Sequence, residues 1–409
     1  MSDRRASFPA PSPLSILLAL ALLALGACGD DDGPGPTGDA GPGVDASAPF
    51  DGGGGEADAA TEPDAGAPAD AAPDGGTDAG MDAGPPCACP TLPTTCTGPV
   101  AGPVFSPEDP AFGEQLMEVL ACADESLHMA LYLPGWDCIG DALADKLEAD
   151  EDIVMEIVVD DDQCPTFGGT RDCDMLRGIA DHPRVTIVDD DRSALMHHKY
   201  IVADGTSVWV SSANMTEDSF CEDLNNSVVI DDATIVGRFE EVFQRMFTDG
   251  SFGPVEPEGV TESAPYRLYF SPESPISSPS GWFTALTDAI AEAETSVDVM
   301  IFALTRGEIS EALVAAHERG VEVRVLSSFR FGGEAAIQTL QDAGIDARVA
   351  DVHHKVMILD GETVATGSAN WSMNAWSNSE NSLWIADADV ASAFTDELDR
   401  VWATASPAE

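Results

Sequence analysis

The stretch HHKYIVADGTSVWVSSAN, residues 197–214, returns as HHKVMILDGETVATGSAN at residues 353–370. Both copies open on two histidines and a lysine: His197, His198 and Lys199, then His353, His354 and Lys355. Both carry an Asp-Gly pair, Asp204-Gly205 and Asp360-Gly361, and both close on Ser-Ala-Asn, at Ser212–Asn214 and Ser368–Asn370. Lysine is otherwise almost absent, the one remaining being Lys146. Two lysines in matching contexts in so lysine-poor a chain are the mark of a duplication. The pair reads as one active site built from two halves.

The duplication extends outward from the motif. Phe105-Ser106-Pro107-Glu108 recurs as Phe270-Ser271-Pro272-Glu273. A helical pattern follows each, over about 110–124 (Phe112, Leu116, Val119, Leu120) and 281–293 (Phe283, Leu286, Ile290), with apolar positions three to four apart. Apolar strands come next at 127–133 and 297–304, then a second helix, then strands at 153–159 and 321–326. Each half closes with a strand, 226–230 or 381–385, and a helix, about 233–247 or 388–403. Strands alternating with helices predict a parallel or mixed sheet covered on both faces. The first half is expected over 87–250, the second over 265–405, with 251–264 as the joint. Two similar halves related by a pseudo-two-fold axis would bring their motifs face to face.

Side chains two apart on a strand share one face. His197 and Lys199 therefore point together, as do His353 and Lys355. The Asp-Gly pairs predict tight hairpin turns, with Asp204 and Asp360 in structural roles. The returning strands present Ser212 with Asn214, and Ser368 with Asn370. That set suits a phosphodiester: lysine neutralises non-bridging oxygens, serine and asparagine donate hydrogen bonds, and histidine attacks or transfers a proton. His198 and His354 fall on the opposite strand face, as packing or surface residues. Trp371 and Trp376 suit a lipid pocket or the core. No run of His, Asp, Glu or Cys has metal-ligand spacing, so neither metal nor cofactor is expected.

The paired HxKxxxxD motifs, each followed by a GSxN-like stretch, resemble the phospholipase D superfamily over residues 104–404. The resemblance implies two α/β/α sandwich domains with the active site at their interface. It also implies a metal-free, two-step reaction through a phosphohistidine. Carried over residue by residue, His197 and His353 are the catalytic histidines, with Lys199 and Lys355 beside them. Asn214, Asn370, Ser212 and Ser368 bind the phosphate. The first copy departs in having Ser211 where the family has glycine; Gly367 keeps it. The family often places an acid before the closing strand to hold the motif histidine. Glu380 fits in the second copy and is expected beside His353. Asn225 is the first copy's counterpart, expected beside His197 with Glu222 or Asp223 compensating. By family habit His197 is the nucleophile and His353 the acid/base.

Composition narrows the partners. Eighteen cations stand against 73 acids, a formal net charge of −55. Such a body repels polyanions, so nucleic acid is disfavoured and zwitterionic phospholipid favoured. The leading expectation is hydrolysis of glycerophospholipids, or exchange of their headgroups for alcohols. A phospholipase D-family nuclease and a non-catalytic surface-binding lipoprotein are the alternatives. With both halves on one chain, a monomer is the expected unit.

The start of the chain predicts export. Arg4 and Arg5 precede an apolar run from Leu14 to Leu25, too short to span a bilayer, that ends in Leu25-Gly26-Ala27-Cys28. This resembles a bacterial lipoprotein signal, implying cleavage before Cys28, lipid on its thiol, and a place at the outer membrane or cell surface, or secretion. Residues 29–86 are Gly, Ala, Asp and Pro with almost no large apolar side chains, the composition of a disordered tether. Setting Cys28 aside leaves eight cysteines between Cys87 and Cys221, an even number that predicts four disulfides in the first half. Cys164 and Cys173 form a plausible local pair. Zinc is the alternative, but the spacing of Cys87, Cys89 and Cys96 fits no common template.

Overall fold

The computed structural model describes residues 87–98, 102–164, 173–328, 330 and 332–407. The predicted signal segment 1–28 with Cys28, and the tether 29–86, lie outside the described residues. Among the described residues no helix is long and apolar enough to cross a membrane.

The first half runs β1 (Val104–Phe105), α1 (Ala111–Cys122), β2 (Ser126–Leu131), α2 (Asp137–Ala149), β3 (Val154–Val159), α3 (Asp174–Arg177), β4 (Val185–Asp189), β5 (Lys199–Ala203), β6 (Ser207–Ser211), α4 (Glu217–Cys221), β7 (Asn226–Ile230) and α5 (Ala233–Phe247). The second runs β8 (Thr261–Ser263), β9 (Tyr266–Ser271), α6 (Gly281–Glu292), β10 (Ser296–Ile301), α7 (Gly307–Glu318), β11 (Glu322–Ser327), α8 (Glu334–Asp342), β12 (Asp346–Val349), β13 (Lys355–Leu359), β14 (Thr363–Gly367), β15 (Glu380–Ala386), α9 (Ala388–Trp402) and β16 (Ser406–Pro407).

The first sheet has the order β1-β7-β6-β5-β2-β3-β4, the second β16-β12-β11-β10-β13-β14-β15-β9-β8. In both, three parallel strands (β2-β3-β4; β10-β11-β12) adjoin an antiparallel run carrying the repeated motif (β5-β6-β7; β13-β14-β15). The sheets are therefore mixed. Apolar side chains on α1 and α2 cover one face of the first sheet and α5 the other. In the second half α6, α7 and α8 cover one face and α9 the other. Two similar α/β/α sandwiches result.

The closing helices do double duty. Asp232 accepts hydrogen bonds from the N–H of Thr234 and Ile235, both at 3.0 Å, and so starts α5. Its stripe of Ile235, Val236, Phe239, Val242, Phe243 and Met246 is buried, and each such side chain contributes about 1.5–3 kcal/mol. That stripe packs on β5 and β6 and also on Leu268, Phe270, Leu383 and Ile385 of the second sheet. Asp387 caps α9 in the same manner, and Phe394 of α9 meets Phe105 of the first half edge-on, ring centroids 5.1 Å apart. Each half thus closes part of the other's core.

The expected joint is shorter than its composition suggested. Phe252 and Val255 are buried in the core shared by the halves, and β8 at 261–263 pairs with β9 as an edge strand. Two apolar side chains with a core to enter outweigh the turn residues around them. Four disulfides, Cys87–Cys221, Cys89–Cys138, Cys96–Cys122 and Cys164–Cys173, staple the first half. The first three tie residues 87–98 to the body. Lys146, the lysine outside the motifs, is buried, with its ammonium on the carbonyl of Ala121 and the carboxylate of Asp150.

Candidate active site

Each motif is a hairpin in the middle of its sheet. Asp204 and Gly205 both take left-handed backbone angles, φ 53° and 61°, as do Asp360 and Gly361 at 52° and 65°. Two consecutive positive φ values define the turn whose twist matches the flanking strands, and Asp-Gly supplies them at low cost. The aspartate carboxylates also work at a distance. Asp204 accepts from the N–H groups of Asp124, Glu125 and Ser126 at 2.7–2.8 Å. Asp360 does the same for Glu294, Thr295 and Ser296. Each therefore clips the hairpin turn to the junction between a helix and the parallel strand that pairs with the hairpin, β2 or β10. Burial pushes the Asp360 carboxyl up, but these donors outweigh it and hold it below the usual carboxylate range.

The histidines sit at the opposite end of the hairpins, where the halves meet. Met196 bridges Ser379, and Leu224 bridges Val352, so equivalent segments pair reciprocally across a pseudo-two-fold axis. The N–H of His197 donates to Ser379 O, and that of His353 to Leu224 O, both at 3.0 Å. His197, His353, Lys199 and Lys355 are all buried, at 1%, 4%, 1% and 3% exposure.

This pairing decides which group holds which histidine, and it reverses the sequence expectation. Glu380 Oε2 lies 2.8 Å from His197 Nδ1, and Asn225 Oδ1 lies 2.7 Å from His353 Nδ1. Each histidine is held from the other half. The correction follows from geometry: β15 begins beside the strand that carries His197, while the residues before β7 run beside His353. Asp223 does not serve His197 either. It meets Arg330 at 3.2 Å, and burial raises its carboxyl to about 6 despite that guanidinium.

Ser212 and Ser368 also differ from expectation. The Ser212 hydroxyl donates to Asn225 Oδ1 at 2.8 Å, and the Ser368 hydroxyl to Glu380 Oε2 at 2.6 Å. A hydroxyl has one proton, so each serine steadies the group that holds a histidine and has none left for a phosphate oxygen. Asn378 adds a second donor to Glu380 at 3.2 Å.

Asn214 and Asn370 are buried two residues further along, where the chain runs beside the ends of β2 and β10. The carbonyls of Leu133 and Ala303 receive the N–H groups of Met215 and Trp371. Those strand ends carry Tyr132 and Phe302, an aromatic pair that sequence reasoning missed. Tyr132 meets His197 edge-on and lies under the Lys199 ammonium; Phe302 does the same for His353 and Lys355. The signal was one aromatic residue near the end of each equivalent apolar strand, Tyr132 in 127–133 and Phe302 in 297–304. Lys199 and Lys355 each donate to the backbone carbonyl of their own histidine at 3.0 Å, and Lys355 Nζ stands 3.2 Å from His353 Nε2.

The second histidines are packing residues at the seam. His198 Nδ1 accepts from Asn381 Nδ2 at 3.2 Å, and His354 Nδ1 lies 3.0 Å from Asn226 Oδ1. Burial pushes both imidazoles below their usual value, with the neighbouring His197 and Lys199 adding to the effect at His198. Trp371 and Trp376 belong to the second half's core, and Arg306 stacks on Trp376 at 4.4 Å. Gly367 is held at φ 139°, where an added Cβ would come within 2.4 Å of Asn381 O; Ser211 instead bonds its hydroxyl to Asn226 O at 2.8 Å. None of the motif residues belongs to a cluster of metal-ligating side chains among the described residues.

The chain is similar to known proteins in sequence and in fold. The profile of the cardiolipin synthase phospholipase D-like domain matches residues 116–247 and again 286–402, together more than half of the chain. A mitochondrial cardiolipin hydrolase of Danio rerio is 31% identical over 134 residues, 31% of this chain and 59% of that protein. A phospholipase D of Rickettsia prowazekii is 32% identical over 123 residues, 28% of this chain and 60% of its own. The chain thus spans about three-fifths of the length of these relatives. The crystal structure of phosphatidylserine synthase from Haemophilus influenzae superposes with a TM-score of 0.56 at 12% identity, covering 73% of this chain and 85% of that one, a likeness of fold.

Proposed function

Because the chain belongs to the family of the cardiolipin synthase phospholipase D-like domain, we propose that it cleaves the headgroup phosphodiester of glycerophospholipids through a phosphohistidine. The observation that carries this reading is the crossed support of the two histidines, Glu380 on His197 and Asn225 on His353. It fixes Nδ1 of each ring, and the proposal assigns the chemistry to Nε2.

In this proposal His197 Nε2 attacks phosphorus and forms a P–N bond. The P–O bond to the headgroup alcohol breaks, and His353 Nε2 gives its proton to the departing oxygen. His353 then takes a proton from water, whose oxygen attacks phosphorus as the P–N bond breaks, and phosphatidate leaves. An alcohol in place of water yields headgroup exchange. His197 is the nucleophile because its ring carries positive charge for the lifetime of the covalent intermediate, and the Glu380 carboxylate offsets that charge. Lys199, Lys355, Asn214 and Asn370 neutralise and orient the phosphoryl oxygens. The net charge of −55 favours a zwitterionic headgroup over a polyanion. We further propose that the chain is exported and held to a membrane by lipid on Cys28.

The experiment offers the purified protein vesicles of phosphatidylcholine, phosphatidylethanolamine and cardiolipin, with single-stranded DNA in parallel. Phosphatidate and free headgroup are expected. Cleavage of DNA alone would overturn the lipid reading in favour of a nuclease. Metabolic labelling with palmitate tests the anchor, and a Cys28→Ser variant that keeps its label would refute it.

A further inference from the structure

Sequence spacing offered no cluster of metal ligands, yet folding gathers one beside the active site. Asp160 and Asp161 follow β3, Asp190 follows β4, and the parallel pairing of Val159 with Asp189 sets these strand ends level. One carboxylate oxygen from each aspartate lies within 4.8 Å of the others. Asp160 and Asp190 are only 1% and 2% exposed.

Hydrogen bonds satisfy part of this cluster. Asp160 Oδ2 accepts from the N–H of Met196 at 2.8 Å and Oδ1 from that of Gln163 at 3.2 Å; Asp190 Oδ1 accepts from the N–H of Asp161 at 3.0 Å. Three further oxygens are buried with no donor: Asp190 Oδ2, Asp161 Oδ1 and Oε1 of Gln163, a residue 2% exposed. All three are acceptors. Among the described residues no lysine or arginine pairs with the three acids, and Arg192 close by gives its guanidinium to the carbonyls of Phe252 and Ser377. Buried acceptors of one sign, gathered without donors, are costly unless a cation joins them.

The geometry points to a divalent-cation site of the calcium class, formed by Asp160, Asp161 and Asp190. Calcium takes oxygen ligands at about 2.3–2.6 Å, so oxygens on opposite sides of one ion stand up to about 5 Å apart, which fits the observed spread. Magnesium demands a tighter octahedron and keeps its water, and suits a buried carboxylate set less well. The ion takes no part in the chemistry. Its effect is positional: Asp160 holds the N–H of Met196, the residue before His197, so fixing Asp160 fixes the entry of the motif strand. The inference is independent of the phosphodiesterase reading. Its rival is a proton shared between Asp161 and Asp190.

Isothermal titration with CaCl2 and MgCl2, and thermal unfolding with and without each ion after chelation and dialysis, separate the two. One Ca2+ per chain is expected, with affinity near the 10⁻⁴–10⁻³ M class of extracellular calcium modules. The thermal midpoint should rise with Ca2+ and hardly respond to Mg2+. Asp190→Asn should abolish the response and Asp161→Asn weaken it about tenfold or more; the less buried Asp161 keeps the test open if Asp190→Asn does not fold. Absence of binding heat and of any midpoint shift in the unaltered protein would overturn the proposal in favour of the shared proton. A response unchanged in both variants would place the binding elsewhere, for instance on the acidic stretch 29–86, and would overturn it equally.

Discussion

Replacing Glu380 by glutamine isolates the charge of one buried oxygen. Glu380 is 0% exposed, with Oε2 2.8 Å from His197 Nδ1 and 2.6 Å from the Ser368 hydroxyl. The amide of Asn225 already holds His353 Nδ1 at 2.7 Å, so an amide is able to orient a histidine in this fold. Glu380→Gln therefore preserves orientation and removes charge. A hydrogen bond to a charged partner contributes about 1.5–3 kcal/mol and a neutral one about 0.5–1.5. The difference of about 1–2 kcal/mol appears when the His197 ring turns positive, which lowers kcat about 5- to 30-fold at about 1.4 kcal/mol per decade. KM should change little, because Lys199 and Lys355 are untouched. The assay is single-turnover kinetics on labelled phospholipid, quenched so that the phosphoenzyme is trapped and its histidine mapped by mass spectrometry. The variant should show less phosphoenzyme, and on His197. Unchanged kcat would refute the charge argument. Phosphate on His353 would refute the assignment of roles while leaving two-histidine chemistry standing.

His197→Ala and His353→Ala should each lower kcat by about 10³-fold or more with the fold intact by circular dichroism, and the double variant should be little worse, since the pair acts as a unit. Gly367→Ala should destabilise the protein by about 1–3 kcal/mol in chemical denaturation, because the new Cβ meets Asn381 O at 2.4 Å on a backbone at φ 139°. Reductant should expose 87–250 to protease before 265–405, since all four disulfides lie in the first half and native ones in small secreted domains typically contribute about 2–5 kcal/mol; equal protection would contradict this. Asp223, raised to about 6 by burial, stabilises the fold fully only below its unfolded value of about 4, and that contribution is lost as pH rises through about 6. Asp223→Asn should flatten the stability profile across that window.

The order of helices and strands, the doubling of the fold and the hairpin turns were legible in the chain itself. They rest on local physics: apolar periodicity, the backbone demands of Asp-Gly, and repetition that exposes the same pattern twice. The eight paired cysteines were legible as a set, because their number and placement are properties of the sequence. Who holds which histidine was not. Glu380 follows its own motif by a short interval, and proximity along the chain suggested His353. The partner is His197, because Ser379 pairs with Met196 and Leu224 with Val352 across the seam. The same holds for the Ser212 and Ser368 hydroxyls, whose protons go to Asn225 and Glu380, and for the aspartates 160, 161 and 190. A sequence fixes which face of a strand a side chain occupies. Which segment, distant in the chain, lies against that face is decided by the burial of whole helices such as α5 and α9 between the two sheets, and only the tertiary structure records it.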